Sequence, residues 1–391
     1  MTVDNVYIFV ADALRDDYLP DSVRKLGKYI PTIAAGTNSP AGFASIVSGL
    51  YPNQHQAHAF THRLDSSFNY LNTVSDRYDT RFFQVYQTEL SAVLGMKQET
   101  DNPVDDLEEP FIVMERDMTT HAPYGYADYE ESDIGPQEYF GGKNVNWKRI
   151  RDDYKTASKR VGNRFLKRLD ELKARGHLED TLVIFTADHG ELLGEYSEMS
   201  HGEPLVPELV HVPTVALNPD SDAPESVPEV MSHVDILPTV THVLDEPIPW
   251  TSPGRSIYES DRSPYYVCER QSKPHTLTEF SFQNYYNYHV RSVWNADGGR
   301  AFNETSLSGL GIHTFRQTPL FNPLRGRDSL RAFEALYHHL APNRTFGNPS
   351  FSVGEARDYL REMDEFSVQL SRTTEEISDA AREELEHLGY L

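Results

Sequence analysis

Three potential metal ligands stand at the ends of apolar runs. The run Thr181-Leu182-Val183-Ile184-Phe185 leads into Thr186-Ala187-Asp188-His189-Gly190-Glu191. Such a run reads as a buried parallel strand, and open α/β sheets build their sites at the carboxyl ends of these strands. Adjacent carboxylate and neutral imidazole donors suit a divalent cation. The same residues also suit a helix start, with Asp188 as cap and Glu191 closing a capping box. A second run, Val6-Tyr7-Ile8-Phe9-Val10, is followed by Ala11-Asp12-Ala13. Asp12 is its first charged residue, placed either to bind an ion or to cap a turn. Between them lies the hydroxyl-rich stretch Thr37-Asn38-Ser39-Pro40-Ala41-Gly42-Phe43, which leads into a short helix predicted to stop at Gly49. Backbone N–H groups at such a helix start can hold an anion. A hydroxyl there becomes a nucleophile if a metal lowers its pKa, and is otherwise an ordinary cap.

Other pieces complete an ordered set. They are Ser48-Gly49-Leu50-Tyr51-Pro52, His121-Ala122-Pro123-Tyr124, Ser200-His201-Gly202, Val212-Pro213, His233-Val234-Asp235-Ile236-Leu237-Pro238-Thr239 and the terminal Leu388-Gly389-Tyr390-Leu391. In this order, from Val3 to Leu391, the chain resembles the sulfatase branch of the alkaline phosphatase superfamily. The resemblance implies a metal-bound hydroxyl-type nucleophile attacking sulfur or phosphorus in line. It puts Asp12, Asp188 and His189 on metal-ligand positions and, counting back from Gly49, Ser39 on the nucleophile position. The proline is one residue out of register with the motif, so Thr37 is the rival nucleophile. His121 falls on the histidine for substrate or leaving group, and His201 on an anion-contacting position. Asp117 and His121 have the D-x-x-x-H spacing of a second metal site in two-zinc relatives. The resemblance thus implies one divalent metal ion (Ca2+, Mg2+, Mn2+ or Zn2+), with Asp117 as a candidate ligand of a second.

Three departures from the family pattern bear on chemistry. The only cysteine is Cys268, far from the nucleophile loop, so no formylglycine precursor cysteine is present there. Phe43 occupies the arginine position of C/S-x-P-x-R, and Ala13 stands where a second aspartate is usual. A plain serine alkoxide favours phosphoryl transfer, because a sulfo-serine lacks an easy route for breakdown. The expected function is a metal-dependent hydrolase or transferase of sulfate or phosphate esters. The rival is a degenerate, non-catalytic member that binds an anion or a protein.

The elements that must position these residues are legible in outline. Residues 1–245 alternate strands and helices, the doubly wound pattern of a mainly parallel sheet flanked by helices. A charged amphipathic helix spans Lys148 to Arg175, with Tyr154, Val161, Phe165, Leu169 and Leu172 on one face. Strands are expected at Arg81–Val85, Phe111–Met114 and Val212–Leu217, and a short helix from Val234 to Leu244, capped by Ser232 or Asp235. His211 and His233 read as structural. The division falls into a catalytic domain over 1–256 and a smaller region over 257–391. The latter holds an antiparallel sheet, with strands at Pro264–Cys268 and Tyr285–Trp294, and terminal acidic helices. Tyr285, Tyr286 and Tyr288 are candidates to stack on a sugar or to pack a strand. Residues 304–350 read as a long loop region.

A chain of 391 residues accommodates one large α/β domain with an appendage. Its 60 acidic against 36 basic residues give a formal charge of -24, with arginine outnumbering lysine. Such a surface stays hydrated in concentrated salt, where short-range screening makes it tolerable, so a halophilic source is expected. The charge excludes nonspecific binding to nucleic acid or anionic membrane. The expected partner is a small-molecule or glycan sulfate or phosphate ester. With no run of eighteen apolar residues and no signal-peptide pattern, a cytoplasmic protein is expected. One cysteine excludes an intramolecular disulfide. Oligomeric state is silent in the sequence.

Overall fold

The computed structural model describes residues 3–85, 89–99, 101–124, 139–140, 146–217, 228–272, 287–316 and 329–367. A large sheet forms its centre. In chain order its strands are β1 (Asn5–Ala11), β2 (Lys28–Ile33), β3 (Asp79–Gln84), β4 (Gln98–Glu99), β5 (Phe111–Asp117) and β6 (Thr181–Thr186). A two-stranded ribbon follows, β7 (Leu192–Leu193) with β8 (Met199–Ser200), and then β9 (His211–Leu217) and β10 (Met231–Ser232) complete the sheet. The spatial order is β10-β2-β9-β6-β1-β5-β3-β4, and β9 alone runs against its neighbours. The expected mainly parallel doubly wound architecture is therefore present.

The pleat of the three central strands decides which side chain faces which layer. Even-numbered residues Val6, Ile8, Val10, Ile112, Met114, Leu182 and Ile184 join an apolar layer with Phe43, Ile46 and Val47 of the short helix Ser39–Ser48. Odd-numbered Tyr7, Phe9, Ala11, Phe111, Val113, Val183 and Phe185 pack on Val161, Phe165, Leu169 and Leu172 of the long helix Trp147–Arg175. A strand puts successive side chains on opposite faces, and both faces are covered, which is why these strands read as nearly continuous apolar runs. The long helix matches its predicted bounds within a residue, and all five of its predicted core residues are buried.

A second, antiparallel sheet of four strands comprises β11 (Tyr266–Ser272), β12 (Tyr288–Asn295), β13 (Gly298–Asn303) and β14 (Asn343–Gly347). It leans on the loop that leads to Ser39: Gly36 bridges Glu269, and Glu269 N–H donates to Ala35 O at 2.9 Å. The predicted 304–350 loop is corrected within the described residues. Helices Leu307–Arg316 and Ser329–Leu340 and the strand β14 lie there. Gly309 and Gly311 inside the first helix weaken the apolar period that would have announced it. A further helix runs over 353–367. Tyr285, Tyr286 and the terminal Leu388–Leu391 lie outside the described residues. Tyr288 is buried and stacked on His313 at 3.9 Å, so it packs the small sheet.

Candidate active site

Asp12 follows β1 and Asp188 follows β6, and both keep the even parity of the layer that contains the Ser39–Ser48 helix. Their side chains meet beneath the start of that helix. One oxygen of each carboxylate and a ring nitrogen of His189 lie within 4.8 Å of one another, all buried. Gly42 permits the close approach, because a Cβ there would sit 2.4 Å from Asp188 O. The helix ends as expected at Gly49, in the left-handed conformation with φ 64°.

The donor set fits a divalent cation. Asp188 Oδ1 accepts from Ala13 N–H and His189 N–H, each at 3.0 Å. Its Oδ2, together with Asp12 Oδ1, is buried with no hydrogen-bond partner among the described residues. Two such oxygens are costly unless something positive sits between them. His189 Nδ1 is 2.9 Å from Gly190 O, so it donates there and leaves the Nε2 lone pair for the ion. Burial, with His201 close by, holds His189 well below the ordinary histidine pKa, in the neutral form a ligand needs. Burial and the Asp12 charge push Asp188 up from the usual carboxylate range. The helix-start reading of Asp188 and Glu191 is not what the structure holds: the chain passes into β7 without a helix.

Ser39 is the hydroxyl at the centre. Its Oγ lies 3.2 Å from Asp12 Oδ2 and 3.5 Å from His189 Nε2. Thr37, the rival, donates its hydroxyl to Gly202 O at 2.5 Å and so ties the nucleophile loop to the His201 loop. The helix start offers few free N–H groups for an anion. Pro40 has none, Ala41 N–H is capped by Asn38 Oδ1 at 3.3 Å, and Gly42 N–H bonds Asn38 O at 3.0 Å.

Arg116 is the site residue that sequence reasoning missed. It comes from β5, is 2% exposed, and places Nε and Nη2 at 2.7 and 2.5 Å from Asp12 Oδ2. Nη2 also donates to Ser39 Oγ at 3.2 Å. Burial alone would raise the Asp12 pKa, but the Arg116 guanidinium holds it well below the usual range. A signal was present: 116 shares the parity of Ile112 and Met114, which places its side chain on the Ser39 side. Asp117 has the opposite parity. It pairs with Arg164 of the long helix and accepts Thr119 N–H at 2.8 Å. The candidate second-metal ligand therefore lies outside the cluster, and no second group of three donors forms among the described residues.

His121 and His201 flank the cluster. The His201 ring is 4.2 Å from that of His189 and 5.3 Å from that of His121. Burial would lower the His201 pKa, but Glu191, buried with its carboxylate 3.6 Å from Nδ1, raises it. Burial pushes His121 down to about 4, and its Nδ1 is 2.8 Å from Ala122 O. His233 is structural as expected. Its Nδ1 receives Ala35 N–H at 3.3 Å and its Nε2 donates to Ala187 O at 2.8 Å.

The sheet, the Ser39–Ser48 helix and the convergent donors define a class, and comparison with known proteins agrees. The Sulfatase family model matches residues 29–246, and the chain belongs to that family. A low-salt glycan biosynthesis sulfotransferase from Haloferax volcanii is 29% identical over 411 residues, covering 99% of this chain and 96% of that protein. The uncharacterized sulfatase YidJ from Escherichia coli is 33% identical over 79 residues, 20% of this chain and 16% of that one. Among solved structures, a 2-O GAG sulfatase aligns with TM-score 0.60 at 15% identity, over 77% of this chain and 83% of that one. A phosphonate monoester hydrolase of Agrobacterium radiobacter gives 0.59, also at 15% identity, over 77% and 88%. At these identities the structural likeness shows the fold.

Proposed function

We propose that the protein is a metal-dependent enzyme of sulfate esters that moves a sulfo group from a donor ester through Ser39 to an acceptor oxygen, in the first instance a sugar hydroxyl. The observation that carries this reading is the position of Ser39 Oγ, within 3.5 Å of Asp12, His189 and Arg116 at once. Asp12, Asp188 and His189 would hold the cation. Bound there, it would lower the pKa of a neighbouring hydroxyl and neutralise developing negative charge. Sulfate is preferred over phosphate because of the family and because the full-length relative is named a sulfotransferase. Transfer is preferred over hydrolysis because of that same relative's name. The sulfo-serine, the harder intermediate for a plain alkoxide, has no carbonyl-derived route to self-cleavage, so water or an acceptor hydroxyl must attack sulfur directly.

Ser39 Oγ, its proton released to solvent, attacks the sulfur of the donor, and the bond from sulfur to the donor alcohol breaks. His201, whose pKa the Glu191 carboxylate raises against burial, gives that alcohol its proton. The acceptor hydroxyl then attacks the sulfo-Ser39 ester and gives its proton to neutral His121, Ser39 Oγ departs as the alkoxide that begins the next cycle, and the proton on His121 replaces the one His201 gave up. This reverses the division expected from the family positions, where His121 served the leaving group and His201 the anion. The test offers 4-nitrophenyl sulfate with and without a monosaccharide acceptor in Mn2+. Nitrophenol released together with sulfated sugar supports transfer. Metal binding without turnover on sulfate, phosphate or phosphonate esters would leave the non-catalytic reading standing. We also propose a salt-requiring, cytoplasmic protein. Its formal net charge of -24 should unfold it on dialysis from molar to millimolar salt. A melting temperature unchanged by that dialysis would refute the salt requirement.

A further inference from the structure

We infer that Arg116 is the cation that completes this site in place of the arginine its nucleophile loop lacks, and that it stabilises the Ser39 oxygen when that oxygen carries negative charge. The inference rests on the proposed role of Ser39 and the cation. Phe43, in the motif's arginine position, is fully buried and packs edge-on against Phe82 at 6.1 Å. It cannot supply charge. Arg116 reaches the same place from a different element, passing its guanidinium 5.8 Å from the Phe43 ring centroid. Gln84 Oε1, at the end of β3, accepts Arg116 Nη1–H at 3.3 Å and orients the group. The guanidinium fork also donates to both a carboxylate and the reacting hydroxyl. A purely architectural ion pair would have no need of the second contact. The helix start supplies few N–H donors, and Ala13 removes one carboxylate, so one side-chain cation is both needed and affordable in charge.

Asp12 is thereby shared: Oδ2 faces Arg116 while Oδ1 remains for the metal. This sharing gives the role a distinctive signature. Removing Arg116 frees an oxygen and deletes a positive charge next to the cation, so metal affinity should rise while turnover falls. A scaffold arginine would lower both.

The experiment measures Mn2+ binding by calorimetry, turnover of 4-nitrophenyl sulfate, and melting with and without Mn2+ for wild type, Arg116→Met and Arg116→Lys. Expected for Arg116→Met is a loss of turnover of about 10²–10³-fold, Mn2+ binding tighter by about tenfold, and a lowered metal-free melting temperature that Mn2+ restores. Arg116→Lys keeps the charge and folds, but a single ammonium cannot hold both partners in the same geometry; turnover about tenfold below wild type is expected. Arg116→Lys with wild-type turnover, or Arg116→Met whose Mn2+ affinity and turnover fall together, would overturn the inference alone. Wild-type protein that binds no Mn2+ would overturn the reading of the site and this inference with it.

Discussion

Arg116 and Asp117 are consecutive residues of one strand, yet they serve different regions of the molecule. Arg116 turns to the Ser39–Ser48 helix and enters a buried cluster with Asp12 and Ser39. Asp117 turns to the long helix and closes an ion pair with Arg164, whose side chain is 34% exposed. Both regions contain an arginine–aspartate pair at the carboxyl edge of the sheet, one strand apart, with Ala11 in register with Asp117. The first leaves a carboxylate oxygen without a hydrogen-bond partner; the second satisfies both oxygens through Arg164 and Thr119. Being at the site-building edge is therefore not sufficient. The pleat decides which carboxylate meets Ser39, and an unspent oxygen distinguishes a candidate ligand from a strut. The same parity sends Glu115 to Arg168 and Tyr7, again on the long-helix side.

The comparison breaks most sharply at the hydroxyls. Ser39→Ala should lose about 10⁵–10⁶-fold in turnover, the cost of deleting a nucleophile, while Thr37→Ala, which only unties the Gly202 carbonyl, should stay within about tenfold. Equal losses in steady-state assays would show that the tie to Gly202, rather than attack by Ser39, governs the reaction.

A smaller effect separates the two aspartates. Asp12→Ala removes a ligand and strands buried Arg116, so it should abolish Mn2+ binding and cost about 3–5 kcal/mol in denaturant unfolding. Asp117→Ala strands a guanidinium that reaches solvent; about 1–2 kcal/mol is expected, with turnover within about threefold of wild type. Chelation should lower the melting temperature of wild type and Asp117→Ala and leave Asp12→Ala unmoved. Any chelator response in Asp12→Ala would place the ion elsewhere.

The smallest effect sharpens how the two faces communicate. Tyr154, on the long helix, accepts Arg15 N–H at 3.0 Å and donates to Ala13 O at 2.6 Å. Ala13 is held there in the left-handed region at φ 60°, which costs an alanine about 1–2 kcal/mol. Tyr154→Phe should therefore cost about 1–2 kcal/mol and reduce Mn2+ affinity by a few fold. A stability loss with unchanged affinity would show that Asp12 is positioned by β1 and Arg116 alone.

Much of the site was legible because its residues interrupt apolar runs. Asp12, Asp188 and His189 follow strands that must be buried, and Ser39 opens a helix that must stop at Gly49. Arg116 was overlooked because it sits inside the strand predicted to end at Met114, among the charges Glu115 and Asp117, where it resembles a solvated turn. Counting the parity of Ile112 and Met114 forward by two would have found it and rejected Asp117. The helices between 304 and 350 were hidden by glycines and by polar residues that pack on the small sheet rather than facing solvent.

The order of strands and helices, the core stripe of Trp147–Arg175 and the candidate donors Asp12, Asp188 and His189 were written in the chain, because hydrophobic period and strand-end position are local properties. What only the tertiary structure decided is which charges meet. Arg116 lies 77 residues from Ser39 and 104 from Asp12. That separation is closed by parallel pairing of β1 with β5 and by the pleat, and no local pattern encodes it. An unspent oxygen likewise becomes visible only when every neighbour that might satisfy it is in place.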